Sequence, residues 1–424
     1  MNREDTMKFI DNSKKFGSKL ELERIKKLCE LLGNPQDRLK FIHVAGTNGK
    51  GSTSVFINNI LIDAGLKTGL YTSPFIYEFN ERIQIDNIPI SDEDLTEIMS
   101  TVAENTAKMI AEGFEHPTEF ELITAAAFLY FEKKKCDIVV LEVGLGGIYD
   151  ATNVINTAVM SVITSISLDH TDYLGETIEE VAKNKCGIIK EGVPVVSYIR
   201  QNPKAFSVIE NTAERLNSQI FIAEEEKLSD IKCNISGNEF VYDGRCYKTE
   251  LIGKYQVLNA TTAITACEHL MSQEYKITYE NIKKGIYRAK WPARFEILGR
   301  SPLVIADGSH NSDGMNAFVE TAKEILDNKK VICVFGMLKD KDYGLCLKKL
   351  SEISDTIVVT EVDNPRRENV ENLQKEAQKH FKNVYSEKCN NKAIQKALSL
   401  ANDDDVVIAL GSLYMMNDIK KALS

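Results

Sequence analysis

The sequence contains no apolar run that approaches the roughly 20 residues needed to span a bilayer, so no membrane partner is expected. Its nine cysteines are scattered and include no Cys-x-x-Cys pair. No apolar signal core follows the polar start of the chain, which favours reduced thiols and a cytoplasmic location. These absences argue against a disulfide framework and against a zinc site.

Positive charge is scarce as well. The chain carries 52 Lys and Arg residues against 62 Asp and Glu residues, which gives a formal net charge of −10. A broad nucleic-acid surface requires an excess of positive charge, so we expect no nucleic-acid partner. A local basic groove for an anionic small molecule is compatible with this balance.

The length of 424 residues exceeds the usual size of one hydrophobic core, so two domains are expected. Two stretches of alternating strand and helix patterns support this division. Their apolar runs are typical of parallel strands that are buried on both faces. The predicted strands cover residues 41–45, 68–72, 137–142 and 159–164 in the first stretch, and residues 303–306, 331–335, 356–360 and 406–410 in the second.

We therefore expect an α/β fold with a parallel-sheet domain over residues 1–295 and a smaller Rossmann-like α/β domain over residues 296–424. The join is expected near residues 291–294. Between about residues 220 and 249, short polar strands and turn residues predict a β-rich insertion. The sequence contains no internal repeat and no low-complexity tract.

A glycine-rich segment at residues 46–53 lies between a predicted strand and a predicted helix, where a phosphate-binding loop belongs. Glycines let the backbone wrap phosphates, and the N–H groups of the loop and of the helix N-terminus face the anion. Lys50 would neutralise the β- and γ-phosphates, and the Ser52 hydroxyl could reach a metal ion or a phosphate. Gly51 separates these two residues, which departs from the general Walker spacing. The first domain is thus predicted to be a P-loop, ATP-binding domain, with a plain glycine-rich turn as the alternative.

Two further side chains follow predicted strands of the first domain. Glu142 ends an apolar strand, and a carboxylate opposite a phosphate loop suits Mg²⁺. The alternative is an ordinary acidic strand end. His170 follows another strand of the same sheet, but imidazole is an unusual Mg²⁺ ligand and a lone histidine is more often structural.

Lys185 and Asp307 are the remaining positions of interest. Lys185 lies at the end of a helical pattern, where a lysine is usually solvated and complements the helix dipole. Asp307 follows the first strand of the second domain, and ligands of α/β sheets bind outside the carboxyl ends of the strands. An Asp-Gly turn with an asparagine cap is the alternative there.

Taken together, these motifs resemble the folylpolyglutamate synthase and dihydrofolate synthase family, within the wider group of Mur-type peptide ligases. The resemblance runs from about residue 41 to residue 414. In chain order, the segments that carry it are residues 44–53, 71–74, 81–85, 142–147, 150–153, 168–170, 291–295, 307–311 and 411–414.

The resemblance implies a role for each candidate residue. The residues implied in binding the ATP phosphates are Gly46, Thr47, Asn48, Gly49, Lys50, Gly51 and Ser52. Those implied in binding Mg²⁺ are Ser73, Glu142 and His170. Further nucleotide contacts are implied for Gln256, Asn259, Arg294 and Asp307. A catalytic role is implied for Lys50, Lys185 and His310, and Lys185 would correspond to the lysine that is carbamylated in this family.

Three departures from the family pattern are visible. Phe75 replaces the usual histidine after Thr-Ser-Pro, and Ile148 replaces the usual arginine after Gly-Leu-Gly-Gly. Beside Lys185, Asn184 and Cys186 replace the usual glutamate and alanine. The first two lie in loops that could contact the pterin or the glutamate tail, so they bear on the acceptor and leave the ATP chemistry intact.

The implied reaction is the ATP-dependent ligation of L-glutamate to folates, with dihydropteroate as a further candidate acceptor. ATP and Mg²⁺ would convert the acceptor carboxylate to an acyl phosphate, which the glutamate amine then attacks. We expect the chain to act on these small molecules as a monomer. Two alternatives stay open, a Mur-type ligase for a different carboxylate and a P-loop ATPase or kinase without ligation.

Overall fold

The computed structural model describes residues 1–17, 21–273 and 275–423. These residues form two compact units. The first unit comprises Met1–Lys227 and Leu258–Ala289, and the second comprises Leu228–Val257 and Lys290–Ser424. None of the helices in the described ranges combines the length and the apolar character that a bilayer crossing requires.

The first unit is a sheet with helices packed on it. Its strands are β1 (Phe41–Ala45), β2 (Thr68–Tyr71), β3 (Ile83–Ile85), β4 (Ile88–Pro89), β5 (Ile138–Glu142), β6 (Ala158–Ile163), β7 (Val195–Ser197) and β8 (Ile220–Ile222). The helices up to residue 227 are α1 (Arg3–Ser13), α2 (Glu23–Leu31), α3 (Lys50–Asp63), α4 (Asp92–Ala111), α5 (Glu119–Lys133), α6 (Thr171–Leu174), α7 (Ile178–Lys185) and α8 (Pro203–Arg215). Two more helices follow, α9 (Lys254–Ser272) and α10 (Tyr279–Arg288).

The strand order of this sheet is β4-β3-β2-β5-β1-β6-β7-β8. The pairs from β2 to β8 are parallel, and β3 and β4 add antiparallel pairs at one edge. Every residue of β1 and β5 is buried, as expected for central strands covered on both faces. Because parallel strands run the same way, the carboxyl ends of β2, β5, β1 and β6 meet at one edge of the sheet.

Packing on both faces of this sheet fixes the elements that carry that edge. Phe41 of β1 and Phe128 of α5 are fully buried, with ring centroids 5.6 Å apart. Burial of a side chain of this kind contributes about 1.5–3 kcal/mol. Helix α3 packs against β1, β2, β5 and α10, and its residues 51–61 are all buried. The start of α3, which follows the glycine-rich loop, is therefore held rigidly against the sheet.

The second unit contains two sheets. A three-stranded antiparallel sheet has the order β11-β10-β9, and its strands are β9 (Leu228–Asn234), β10 (Gly237–Tyr242) and β11 (Arg245–Thr249). A six-stranded sheet is built from β12 (Glu296–Arg300), β13 (Leu303–Asp307), β14 (Val331–Phe335), β15 (Thr356–Val359), β16 (Asn383–Ser386) and β17 (Val406–Leu410). The remaining helices are α11 (Ser312–Ile325), α12 (Tyr343–Leu350), α13 (Val370–Ala377), α14 (Asn390–Leu400) and α15 (Met416–Leu423).

The six-stranded sheet has the order β12-β13-β17-β14-β15-β16. Only β12 is antiparallel to its neighbour, and the pairs from β13 to β16 are parallel. β14 and β17 are buried along their whole length. Asp307, at the carboxyl end of β13, therefore lies at the edge of the sheet where ligands of such folds bind.

The predicted α/β fold class is confirmed, and the eight predicted strands are present with ends within one residue of the prediction. The β-rich stretch near residues 220–249 is formed by β8 to β11. By contacts, Leu228–Val257 belongs to the second unit, because β9 packs against α11. The division into residues 1–295 and 296–424 stays a prediction of the domain boundary.

Candidate active site

The glycine-rich loop connects β1, which ends at Ala45, to α3, which begins at Lys50. Two of its glycines are required by geometry. Gly46 and Gly49 have φ angles of 155° and 86°, and a Cβ atom on Gly46 would lie 1.8 Å from the Thr164 hydroxyl oxygen. A side chain at either position would strain the loop. The loop thus lies between a strand end and a helix N-terminus, an arrangement that suits an anion such as a phosphate.

The Lys50 side chain folds back over this loop. Its Nζ donates hydrogen bonds to Gly46 O at 3.1 Å and to Thr47 O at 3.2 Å. Asn259 of α9 approaches the loop as well, since a Cβ atom on Gly49 would lie 2.5 Å from its Oδ1. A cation and an amide therefore lie directly against the loop.

The segment that follows β6 is bonded to the same loop. The N–H groups of Thr47 and Asn48 both donate to Ser165 O, at 2.7 and 3.3 Å. Thr47 Oγ1 donates to Ser167 O at 2.9 Å and accepts from Ser167 N–H at 3.1 Å. His170 lies three residues further along, so its position is tied to the glycine-rich loop.

The predicted metal ligands come from neighbouring strand ends. Glu142 is the last residue of β5, and Ser73 lies two residues beyond β2, the strand beside it. Ser73 N–H donates to Glu142 Oε2 at 3.4 Å, and Glu142 is only 4% exposed. His170 follows β6 and has a φ angle of 51°, directly before α6. All three therefore lie at one edge of the first sheet.

The chemistry of this set fits Mg²⁺. In the described ranges, no group of three or more His, Cys, Asp or Glu side chains is arranged to hold a metal ion. The predicted set contains only two such side chains, and the Ser73 hydroxyl is its third donor. Mg²⁺ is usually held by one or two carboxylates together with waters and substrate phosphates. One buried carboxylate and one hydroxyl beside a phosphate-type loop meet that requirement.

Lys185 is buried at the end of α7, so its interpretation as a solvated helix-end lysine is wrong. Its Nζ donates a hydrogen bond to Gly46 O at 2.8 Å. Burial, together with the positive charge of Lys50, lowers the pKa of Lys185 to about 7. The cause is that α7 ends against the glycine-rich loop, where the amine is removed from water. A large fraction of this amine is therefore neutral near pH 7.

A buried polar chain beneath the loop after β5 is absent from the sequence prediction. Asp150 accepts hydrogen bonds from Leu145 N–H at 2.8 Å and from Thr152 Oγ1 at 2.5 Å. Thr152 Oγ1 in turn lies 2.8 Å from His43 Nε2. Because the hydroxyl proton of Thr152 is donated to Asp150, Nε2 is the donor of this second bond. Burial, with a smaller effect of Lys190, lowers the pKa of His43 to about 3, so the ring is neutral. The available signal was a histidine inside an otherwise apolar strand.

Two of the departures from the family pattern contact each other. Ile148 N–H donates to Asn184 O at 3.0 Å, and a Cβ atom on Gly187 would lie 2.3 Å from Ile148 Cγ1. The third departure, Phe75, is 38% exposed and lies 5.4 Å from the guanidinium of Arg82. Of the positions that depart from the family pattern, Ile148 and Asn184 are therefore in contact, whereas Phe75 is partly exposed.

In the second unit, Asp307 organises the carboxyl end of β13. It is fully buried, and its carboxylate accepts hydrogen bonds from Phe295 N–H and Ser309 N–H, both at 2.8 Å. Burial raises the pKa of Asp307, and the nearby Arg294 opposes this shift. His310 follows in the same loop.

The two remaining predicted site residues of this unit are His310, predicted to be catalytic, and Gln256, predicted to contact the nucleotide. His310 Nδ1 donates to Gly308 O at 2.8 Å. Gln256 is fully buried near the start of α9, and its N–H donates to Gly253 O at 2.9 Å. The second unit thus brings together Arg294, Asp307 and His310, while Asn259 belongs to the first.

Comparison with known proteins identifies related enzymes along the whole chain. Residues 44–267 match the Mur ligase middle domain, and residues 293–413 match the Mur ligase glutamate ligase domain. The chain is 39% identical to a dihydrofolate synthase/folylpolyglutamate synthase of Bacillus subtilis, with 99% of each chain covered. It is 36% identical to a folylpolyglutamate synthase of Lacticaseibacillus casei, with 100% of this chain and 99% of that one covered.

The fold is similar to that of a Mycobacterium tuberculosis folylpolyglutamate synthase complexed with ADP. The TM-score is 0.92 at 29% identity, and the match covers 100% of this chain and 99% of the other. These similarities confirm the predicted family and the predicted class of an ATP-dependent ligase that binds nucleotide and small-molecule substrates. The chain belongs to the folylpolyglutamate synthase/dihydrofolate synthase family of Mur-type ligases.

Proposed function

We propose that this chain adds L-glutamate to folates, and to dihydropteroate as a second acceptor, through an acyl-phosphate intermediate. The observation that carries the proposal is the group of side chains around Gly46, where Lys50 and Lys185 both donate to the glycine-rich loop. The Bacillus subtilis relative, which carries both activities in its name, is similar to this chain over 99% of its length. That similarity supports both acceptors.

The reaction must first activate a carboxylate, because a free carboxylate has oxide as its leaving group and resists an amine. Transfer of the γ-phosphoryl group of ATP to the carboxylate oxygen gives an acyl phosphate. The glutamate amine then attacks the acyl carbon, phosphate leaves, and the amine loses a proton. Lys50 stabilises charge on the transferring phosphoryl group, since its ammonium lies over the loop that holds the phosphates.

We assign Mg²⁺ binding to Ser73, Glu142 and His170. When bound, Mg²⁺ neutralises the phosphate oxygens and polarises the γ-phosphoryl group. The support is that all three residues lie at the sheet edge that carries the glycine-rich loop, and that Glu142 is a buried carboxylate. Gln256, Asn259, Arg294 and Asp307 are assigned to further nucleotide contacts, and His310 to catalysis beside Asp307.

Lys185 is proposed to be carbamylated. The neutral amine adds to the carbon of carbon dioxide and loses one proton, so a cation becomes an anion. The pKa of about 7 supports this step, because a neutral amine is available under ordinary conditions. Conversion to a carbamate also removes the repulsion between two cations, Lys185 and Lys50, that share the Gly46 carbonyl.

The proposal also covers the cellular compartment and the oligomeric state. We propose a monomeric enzyme of the cytoplasm. The nine cysteines, which are all free thiols, support the reducing compartment. Five of them are buried, and burial raises the pKa of each thiol, to about 12 for Cys29, Cys136, Cys186 and Cys333 and likewise upward for Cys267. They are therefore inert as nucleophiles, as structural cysteines are.

The decisive experiment is product identification by mass. The protein is incubated with ATP, Mg²⁺ and glutamate together with either dihydropteroate or tetrahydrofolate. Each acceptor is expected to gain one glutamate, and phosphate release is expected to require both glutamate and an acceptor. Equal phosphate release without any acceptor would replace the ligase assignment by an ATPase or kinase. Ligation of only one acceptor would narrow the proposal to that substrate.

A further inference from the structure

The ladder between β6 and β7 stops short of the segment that leads to His170. The register pairs Ile163 with Ser197, and the last main-chain hydrogen bond runs from Tyr198 N–H to Ile163 O at 2.9 Å. After Tyr198 the main chain forms a turn and continues into α8. The backbone of residues 164–167 is therefore left without a neighbouring strand on that side.

The Gln201 side chain takes the place of that strand. Its Nε2 donates to Thr164 O at 3.0 Å, and its Oε1 accepts from Ile166 N–H at 2.9 Å. One residue of a parallel strand makes the same two bonds through its own N–H and C=O groups, to the carbonyl of one residue and the N–H of the residue two positions on. The carboxamide of Gln201 therefore takes the place of one residue of a neighbouring parallel strand.

The opposite edge of the same segment is held by the glycine-rich loop. Thr47 bonds to Ser165 and Ser167 through its N–H group and its hydroxyl. Gln201 thus binds Thr164 and Ile166, and Thr47 binds the residues that alternate with them, Ser165 and Ser167. Thr164 and Ile166 are buried, so water cannot readily replace the bonds from Gln201.

We infer that Gln201 is a positioning residue that holds His170 in register with the glycine-rich loop, and so sets the affinity for Mg²⁺ in the nucleotide complex. This inference rests on the proposed Mg²⁺ role of His170. The side-chain bonds of Gln201 go to the backbone of Thr164 and Ile166, so it would act on His170 through that backbone. Groups that hydrogen-bond a metal ligand directly change metal affinity by about 10- to 100-fold when they are removed, and we expect Gln201, which acts through the backbone, to lie at the lower end of that range.

The test is Gln201→Met, which keeps the length of the side chain and removes both hydrogen bonds. The affinity for ADP is measured by calorimetry with and without Mg²⁺, and the ratio of the two affinities is compared with that of the unmodified protein. We expect the ratio to fall by about tenfold, while affinity for ADP without metal changes by less than about twofold. Gln201→Glu, which keeps the acceptor for Ile166 N–H and loses the donor to Thr164 O, should give a smaller fall.

Asn202→Ala is the matched control. Asn202 caps α8, because its side chain accepts a hydrogen bond from Lys204 N–H at 3.0 Å within its own helix. The Asn202→Ala variant should have a lower melting temperature and an unchanged ratio of ADP affinities with and without Mg²⁺. The inference would be overturned if the ratio of ADP affinities did not change in Gln201→Met, or if it fell equally in Asn202→Ala. It would also be overturned if Mg²⁺ did not strengthen ADP binding to the unmodified protein. Because no acceptor is present, failure of the proposed ligation would be seen separately, in the product assay.

Discussion

Lys185 Nζ donates a hydrogen bond to Gly46 O across a distance of 2.8 Å, although the two residues are 139 positions apart in the sequence. The bond joins the end of α7 to the first residue of the glycine-rich loop. It places a second amine beside Lys50, which contacts the same carbonyl oxygen. Burial lowers the pKa of Lys185, and repulsion by the nearby ammonium group of Lys50 lowers it further.

Lys185→Ala is expected to lose most ligase activity, because it removes both the bond to Gly46 and the proposed carbamate. Formate or acetate should restore part of the activity by occupying the vacated anion site. The measurement is product formation with increasing formate, with Lys183→Ala as control, since that lysine is exposed on the same helix. Full activity of Lys185→Ala, with no ¹³C-bicarbonate label on Lys185, would end the carbamate proposal and leave the ligase assignment intact.

The pKa of Lys185 also predicts a pH dependence of stability in buffers free of carbon dioxide. The folded-state pKa is about 7, and the ordinary value is 10.5. Between these values the unfolded chain binds more protons, so the free energy of unfolding rises with pH by up to about 1.4 kcal/mol per unit. Below about pH 7 both states are protonated and this contribution to the slope vanishes.

Urea unfolding between pH 6 and pH 10 would measure this effect. Lys185→Met should flatten the rise between about pH 7 and pH 10 relative to the unmodified protein, because it removes the only group whose shift is being tested. An identical pH dependence in the two proteins would show that the amine titrates normally in the folded state.

Lys50→Ala should nearly abolish turnover while leaving the fold intact. The side chain is only partly buried and donates hydrogen bonds to Gly46 O and Thr47 O of the loop, so little packing is lost. Loss of a group that stabilises transition-state charge costs about 10²–10³ in kcat. Lys67→Ala is a suitable control, because Lys67 is exposed and bonds to Lys134 O away from the loop. Unreduced kcat at saturating ATP would remove Lys50 from the catalytic machinery.

The sequence allowed a correct prediction of the strands and of the residues at their ends, because buried parallel strands give short apolar runs that stop where polar loops begin. Ser73, Glu142 and His170 lie at one sheet edge for that reason. The burial of Lys185 was not predictable in this way. A lysine in the last turn of a helix has the same local pattern whether it faces solvent or another loop, and only the long-range packing of α7 decides between them.

Long-range contacts also account for the other features that sequence reasoning missed. The bond from His43 to Thr152 spans 109 positions, and the two residues belong to motifs that look unrelated in the sequence. The grouping of β9 to β11 with the second unit depends likewise on contacts with α11, which begins more than 60 residues later. Local patterns carry no information about such pairings.

Thr152→Val tests the buried chain beneath the loop after β5. Valine has nearly the same shape but offers no acceptor to His43 Nε2 and no donor to Asp150. A buried group left without its partner costs about 1–3 kcal/mol, so the free energy of unfolding should fall by that amount. Thr152→Ser keeps the hydroxyl and should lose clearly less. Equal losses in the two variants would mean that the methyl group, and not the hydrogen bonds, matters here.

Glu142→Gln tests the proposed metal site at the end of β5. The substitution keeps the shape of the side chain and an oxygen that can still accept from Ser73 N–H, but it removes the negative charge. Mg²⁺ binds hard, charged oxygen ligands, so the concentration of Mg²⁺ needed for half-maximal activity should rise by about tenfold or more. The measurement is ligase activity over a Mg²⁺ titration at constant free ATP.

Glu132→Gln is the control, because Glu132 forms a surface ion pair with Arg38 whose loss has little effect. Since the fold is expected to tolerate an isosteric change at a single strand end, thermal melting should show that the protein is intact. A titration that superimposes on that of the unmodified protein would exclude Glu142 as a ligand and would leave Ser73 and His170 without a carboxylate partner for the metal.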